Sequence, residues 1–171
     1  MSQLKKSEIR ALRKSLPSRP EQVVLVLENI QYARNVAAMF RTADAAGVNR
    51  IFLTGISKQP PFGKELQQVS RHKEKSVQWQ YFQDTNSVIN KLKGDGFFII
   101  AIELAEGAIS HQELPAAIEG KQKICFILGS EVYGVKESTL QATDLQVYVP
   151  MYGKGASLNV TASGAVVLYS F

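Results

Sequence analysis

The 171-residue chain carries one cysteine and two histidines. Cys125 stands alone inside the apolar run Ile124 to Leu128. That excludes a disulfide framework and makes the thiol a small buried hydrophobe rather than a nucleophile. With His72 and His111 as the only imidazoles, a metal site of ordinary His and Cys ligands is not expected, nor is a Ser-His-Asp hydrolase. Both histidines read as surface residues. No apolar run approaches the roughly 18 to 20 residues of a membrane span. The N-terminus is charged where a signal peptide needs an apolar core, so a cytoplasmic protein is the expectation. Phosphate-binding signatures are missing too. Glu28-Asn29-Ile30-Gln31-Tyr32 follows the first apolar run where G-x-G-x-x-G would open an ordinary dinucleotide site, and no Walker loop occurs.

What is present suits one domain, long enough to bury a core without staples. The net charge of +5 is uneven. Lys5, Lys6, Arg10, Arg13, Lys14 and Arg19 face only Glu8 within residues 1–20, which leaves residues 21–171 formally neutral. Ile9, Leu12 and Leu16 fall at i, i+3 and i+7, which predicts a short amphipathic helix ended by Pro17. Its leucines would pack against the body, and its basic face would track nucleic-acid phosphates. Residues 1–20 therefore read as a basic arm and residues 21–171 as the main domain.

Beyond the arm the pattern alternates. Apolar Val23 to Leu27, helix-like Tyr32 to Ala46, Gly47 and strand-like Arg50 to Thr54 open an α/β fold. Thr85 to Lys93 reads as a helix stopped at Gly94, and Phe97 to Ile102, Lys123 to Leu128 and Gln146 to Val149 read as strands. Such unbroken apolar runs predict a mostly parallel sheet covered by helices on its faces. Gly55 to Lys75 is polar and carries Pro60, Pro61 and Gly63, which suggests a surface excursion with one helical turn near Glu65 to Val69. Val77, Trp79 and Tyr81 alternate as one face of a strand. Arg71 and Lys73 just before it are candidate phosphate contacts.

Three segments do more than a core requires. The first is Asn35-Val-Ala-Ala-Met-Phe-Arg41-Thr-Ala-Asp-Ala-Ala-Gly47, and the second is Phe126-Ile-Leu-Gly129-Ser-Glu131-Val-Tyr-Gly134. The third is Val149-Pro-Met-Tyr-Gly-Lys-Gly-Ala-Ser-Leu-Asn-Val160, a Gly-bearing loop able to aim backbone groups at a nucleoside-like guest. In order and spacing they resemble the three motifs of the SPOUT superfamily of RNA methyltransferases, in its TrmH-type branch, over residues 22 to 170. The resemblance implies a deep C-terminal trefoil knot, an exception to the rule that chains are unknotted. It implies methyl transfer from S-adenosylmethionine, leaving S-adenosylhomocysteine, to a ribose 2′-hydroxyl in tRNA or rRNA, with no metal. It also implies a homodimer joined through the motif-one helix and a slim last helix starting near Ser157. A base-methylating SPOUT enzyme and a noncatalytic RNA-binding homologue are the alternatives.

The same resemblance names site residues. Arg41, Asn35, Glu131, Ser157 and Asn159 match the catalytic centre, and Ile102, Leu128, Gly129, Val149, Met151, Ser157 and Leu158 match the cofactor site. RNA would meet Arg10, Arg13 and Lys14 of the arm together with Arg41, Arg71 and Lys73. Arg41 lies in a largely apolar helix, where a guanidinium is expected to need an anionic partner. It stays cationic and so suits electrostatic stabilisation rather than proton abstraction. Asn35 lies six residues earlier, about 120° around the helix, so both are expected to border one cleft. Glu131 would otherwise cap the helix that follows it, and Ser157 would otherwise cap the last helix. Gly129 is expected to let backbone approach the cofactor.

Overall fold

The computed structural model describes residues 3–17 and 19–171. Its strands are β1 (Gln22–Glu28), β2 (Arg50–Thr54), β3 (Gln78–Phe82), β4 (Phe98–Ile102), β5 (Ile109–Ser110), β6 (Lys123–Leu128) and β7 (Leu145–Tyr148). The helices are α1 (Lys6–Lys14), α2 (Ala33–Ala45), α3 (Lys64–Ser70), α4 (Thr85–Gly94), α5 (Leu114–Ala117), α6 (Glu137–Ala142) and α7 (Val160–Leu168). The seven strands form one sheet in the order β3-β2-β1-β6-β4-β7-β5, and every pairing is parallel. The expected α/β class holds.

The central strands are apolar on both faces because both faces are covered. On one side Leu25, Leu27, Ile51, Ile100 and Phe126 pack with Met39 and Phe40 of α2 and Val167 and Leu168 of α7. On the other, Val24, Val26, Ile99 and Ile127 pack with Val88, Ile89 and Leu92 of α4. Each such side chain contributes about 1.5–3 kcal/mol when fully buried. A Cβ on Gly164 of α7 would stand 2.8 Å from Met39 Cε and 3.3 Å from Leu128 Cδ1, so the missing side chain is what seats α7 on α2 and the sheet.

The chain steps outward from β1 through β2 to β3, then crosses to β4 and β5 before β6 enters beside β1. The order therefore reverses at β1/β6, and ligands of open α/β sheets gather where strand order reverses, outside the carboxyl ends. Glu28, Ile102, Leu128 and Tyr148 end β1, β4, β6 and β7 at that edge.

Several expectations shift. The Gly55 to Lys75 excursion contributes to the core: Phe62 is buried and meets Phe40 edge-on at 5.6 Å between ring centres. The helix of the arm forms, but Ile9, Leu12 and Leu16 are exposed rather than packed. Arg19 leaves the arm's basic set, donating to Ala46 O at 2.6 Å and Leu168 O at 2.8 Å while its guanidinium lies over the Phe171 ring at 4.5 Å. It thus closes the C-terminal ends of α2 and α7, where a cation is favoured. The last helix starts at Val160 instead of near Ser157, capped by Asn159.

Candidate active site

Three carboxylates hold the segment that follows β6. Glu28, fully buried at the end of β1, accepts from Lys136 N–H at 3.0 Å and Thr139 Oγ1 at 2.7 Å, tying down the start of α6. Glu103, just past β4, accepts from Val135 N–H at 2.9 Å and Leu104 N–H at 3.0 Å. Glu131 reaches the other way and accepts from Gln31 N–H at 2.8 Å, Tyr32 N–H at 3.3 Å and Asn35 Nδ2 at 2.6 Å. It therefore serves the loop entering α2 rather than the helix following it, because its oxygens point across the sheet edge.

A chain of side chains continues from there. Asn35 Oδ1 accepts from Asn159 Nδ2 at 3.2 Å, and Asn159 Oδ1 accepts from Thr161 N–H at 2.9 Å as the cap of α7. Glu131, Asn35 and Asn159 come from the three motifs, so this chain of hydrogen bonds links all three. Between the motif-two turn and the motif-three loop lies a cleft of about 480 Å³. Ile102, Leu128, Gly129, Val149, Met151, Ser157 and Leu158 all line it, as do Asn35, Glu131 and Asn159. Sequence reasoning thus gathers every expected cofactor residue and four of the five expected catalytic residues into one place.

Arg41 lies elsewhere. It is exposed and lines a second, larger cleft of about 670 Å³ with Arg34, Ala38, Thr42, Ala45, Gln68, Arg71, Ala165 and Tyr169. The expectation that Asn35 and Arg41 border one cleft is corrected: the rotation around α2 sends them to different clefts. Arg41 forms no ion pair among the described residues, and its exposure removes the need for one. Arg71 enters the same cleft from a corner where it and His72 both adopt left-handed backbone, φ 54° and 59°, a cost that tends to accompany functional positions. Lys73 is turned away, paired with Asp44 at 2.8 Å. Arg10 and Lys14 are exposed on α1, and the Arg13 side chain lies outside the described residues.

Gly129 has a packing role beside the expected one. A Cβ there would overlap the backbone of Gly134 and Val135, so its emptiness lets the motif-two turn close on itself before any ligand arrives. Ser130 and Gly134 lock that turn with reciprocal backbone bonds of 3.0 and 2.8 Å. Gly153 and Gly155 need no left-handed backbone, so the motif-three loop does not depend on glycine for its bend. Ser157 is exposed within that loop.

Sequence reasoning missed Tyr32, Glu103, Tyr148 and Ser163, which also line the cleft. Glu103 had one signal, an acid immediately after an apolar strand, and Glu28 had the same. Their partners became visible only with the register that sets Ile102 beside Leu128. The lining mixes apolar side chains with polar ones, Glu103 and Ser130 among them, and with backbone from the strand ends. This fits an adenosine-sized guest held by backbone polar groups. Among the described residues no cluster of His, Cys, Asp or Glu is arranged to hold a metal ion, and no helix is long and apolar enough to cross a membrane.

Comparison with known proteins agrees with the family that the three motifs resemble. Residues 22–169 match the SpoU rRNA Methylase family. The chain is 32% identical over 152 residues to the 23S rRNA (guanosine(2553)-2′-O)-methyltransferase RlmP of Bacillus subtilis, covering 85% of this chain and 56% of that protein. It is 25% identical over 164 residues to the tRNA (guanosine(18)-2′-O)-methyltransferase of Aquifex aeolicus, covering 94% of this chain and 74% of the relative. The fold superposes on an AdoMet-bound rRNA methyltransferase from Sinorhizobium meliloti with a TM-score of 0.78 at 22% identity, covering 89% of this chain and 56% of that one. The chain thus spans little more than half the length of the Bacillus relative.

Proposed function

The chain belongs to the SpoU rRNA methylase family, and from that premise we propose that it transfers the methyl group of S-adenosylmethionine to a ribose 2′-hydroxyl in tRNA or rRNA. The observation that carries this reading is the hydrogen-bonded line from Glu131 through Asn35 to Asn159, joining all three motifs at one cleft. Relatives named as guanosine 2′-O-methyltransferases support ribose over base chemistry. Backbone at Leu128, Gly129, Val149, Met151 and Leu158 would hold the cofactor, with Ile102 and Ser157 flanking it. S-adenosylmethionine supplies an activated methyl group when bound, with no metal. This chain's residues then have to align the attacking oxygen and stabilise its charge. Asn35 and Asn159 fix the floor on which the ribose settles, and Glu131 holds Asn35.

Arg41 stabilises the developing 2′-alkoxide and holds an adjacent phosphate, and the hydroxyl proton passes to that phosphate or to water as the sulfonium leaves as S-adenosylhomocysteine. Since it does not line the cofactor cleft of its own chain, we place it in the cleft of a second copy, in a homodimer. Support comes from the face that carries it. Small Ala38, Ala45 and Ala165 lie there, and Val166 and Tyr169 of the same region are exposed. Arg71 and the exposed Arg10 and Lys14, with Arg13, supply further phosphate contacts. Lys73 would join them only by releasing Asp44. We read residues 1–20 as an arm on a main domain of residues 21–171, knotted as in the family and acting in the cytoplasm.

The test is transfer of labelled methyl from S-adenosylmethionine to unmodified tRNA and rRNA, followed by nucleoside digestion. The expected product is a nucleoside heavier in the sugar with an unchanged base. Label on the base would move the chain to the base-methylating alternative, and cofactor binding without transfer to any RNA would sink the proposal.

A further inference from the structure

The rim of the cofactor cleft carries an aromatic surface that folding does not explain. Tyr133 and Tyr152 are 86% and 90% exposed, the two most exposed large apolar side chains among the described residues. They stand in different loops, each next in sequence to residues that line the cleft. Tyr133 sits between the lining residues Val132 and Gly134, and Tyr152 follows the lining residue Met151. Val132, Leu104 and Leu158 around them are also exposed, at 56%, 69% and 40%. Several exposed apolar side chains in and beside the lining of one cleft mark an interaction surface.

Tyr133 is held outward rather than left loose. The Ser130 to Gly134 turn is closed by two backbone bonds, Val132 N–H donates to Ser130 Oγ at 3.3 Å, and Gly134 sits at φ +66°. The space beneath the turn is filled, since the missing Cβ of Gly129 is where Gly134 and Val135 backbone lies. Tyr152 shares its loop with exposed Lys154, a cation within two residues of an exposed ring.

We propose that Tyr133 and Tyr152 are stacking surfaces for unpaired bases of the RNA substrate at and beside the methylated nucleotide. The inference rests on the methyl-transfer reading of the same cleft. The occupant follows from connectivity. The attacked oxygen is on C2′ and the base is on the adjacent C1′, so any ribose delivered to this cleft brings a base ring to its rim. A base drawn out of a helix loses its neighbours, and proteins replace them with aromatic faces. Stacking reads the face of a ring and not its edge, so these tyrosines bind bases without choosing among them. Lys154 complements the neighbouring phosphate.

The experiment uses the whole chain with Tyr133→Ala, Tyr152→Ala and the corresponding Phe variants. Three quantities are measured: titration with S-adenosylhomocysteine, fluorescence of a single-stranded RNA oligonucleotide containing 2-aminopurine, and KM and kcat for RNA. The Ala variants are expected to bind S-adenosylhomocysteine as the native chain does. They should lose quenching of 2-aminopurine and raise the KM for RNA by roughly 10-fold or more, while the Phe variants keep native behaviour because they keep the ring. Native quenching and KM in both Ala variants would overturn the stacking role and leave the transferase reading intact. So would weakened self-association with unchanged RNA binding, which would give these rings to a protein partner. A native chain that binds no S-adenosylhomocysteine would overturn the transferase reading, and this proposal with it.

Discussion

In the proposed cofactor cleft the carboxylates and carboxamides are already matched within the chain. Glu131 takes three N–H donors and Glu103 two, and Asn35 and Asn159 bond each other. In the arginine cleft Arg34 and Glu65 form an exposed ion pair at 3.9 Å, while Arg41 and Arg71 face solvent with no ion-pair partner among the described residues. Under the proposed function, the difference separates two tasks. A site that reads a small cofactor gains from rigid, satisfied groups, because little ordering is left for the moment of binding. A site that meets RNA or a second protomer needs charges left unpaired until the partner arrives, because a guanidinium already paired has nothing to offer a phosphate.

The comparison breaks most sharply at Arg41. Arg41→Ala is expected to lower single-turnover methyl transfer by about 100-fold or more, the scale of losing one preorganised charge donor at a transition state. Titration with S-adenosylmethionine should stay near native. If cofactor affinity fell equally, the two clefts would be one site. Mixing protomers sharpens the point. Arg41→Ala chains combined with Asn35→Ala chains should recover part of the activity if the arginine acts across a dimer, and recover none if it acts within its own chain.

Gly129→Ala attacks the other cleft. The new methyl group meets the backbone of Gly134 and Val135, atoms that cannot rotate aside, so we expect about 3 kcal/mol of destabilisation, at the upper end of ordinary overpacking. Denaturant melts and cofactor titration should both report it. A variant of native stability with intact binding would show that the turn opens readily, against the rigidity argued above. Glu131→Ala follows with a smaller effect, about 2 kcal/mol for charge-assisted bonds lost at a partly exposed position. Its signature is weakened cofactor binding together with faster amide exchange at Gln31 and Tyr32.

These contrasts also explain what the sequence could tell. The strand runs at Arg50 to Thr54 and Lys123 to Leu128 coincide with the strands found, because unbroken apolar runs have one way to be buried. The gathering of the proposed cofactor residues in one cleft was legible because they sit at strand ends and in motif loops. The separation of Arg41 from Asn35 was not, since a helical wheel gives angles on one helix and says nothing of which neighbours cover each face. α3 and Tyr169 decide that for Arg41. Glu28 and Glu103 were hidden for a related reason. A carboxylate that is buried like Glu28 or half-buried like Glu103, and whose partners return 108 and 32 residues later, has no local pattern. The 3.6-residue period likewise predicted α1 but not its exposure, since amphipathicity shows which face seeks a partner and not whether one is at hand.

The smallest expected effect supplies the control for all the others. Asp84 caps α4 on the far face of the sheet from α2, accepting from Ser87 N–H at 2.9 Å, and lines neither cleft. Asp84→Ala should cost about 1 kcal/mol, as cap removal does, while cofactor affinity and transfer stay native below the melting range. The backbone N–H of Ser87 holds the Asp84 carboxyl below its usual range, so the native state binds that proton less tightly than the unfolded chain. Its stabilisation is therefore fully present above the unfolded pKa of about 3.9 and is lost as pH falls through the lower native value. Melting curves of native and variant chains should converge in that acid window and stay apart by a constant amount at neutral pH. If Asp84→Ala reduced transfer as Arg41→Ala does, the activity assay would be following stability, and the division of labour between the clefts would have to be rebuilt from binding measurements alone.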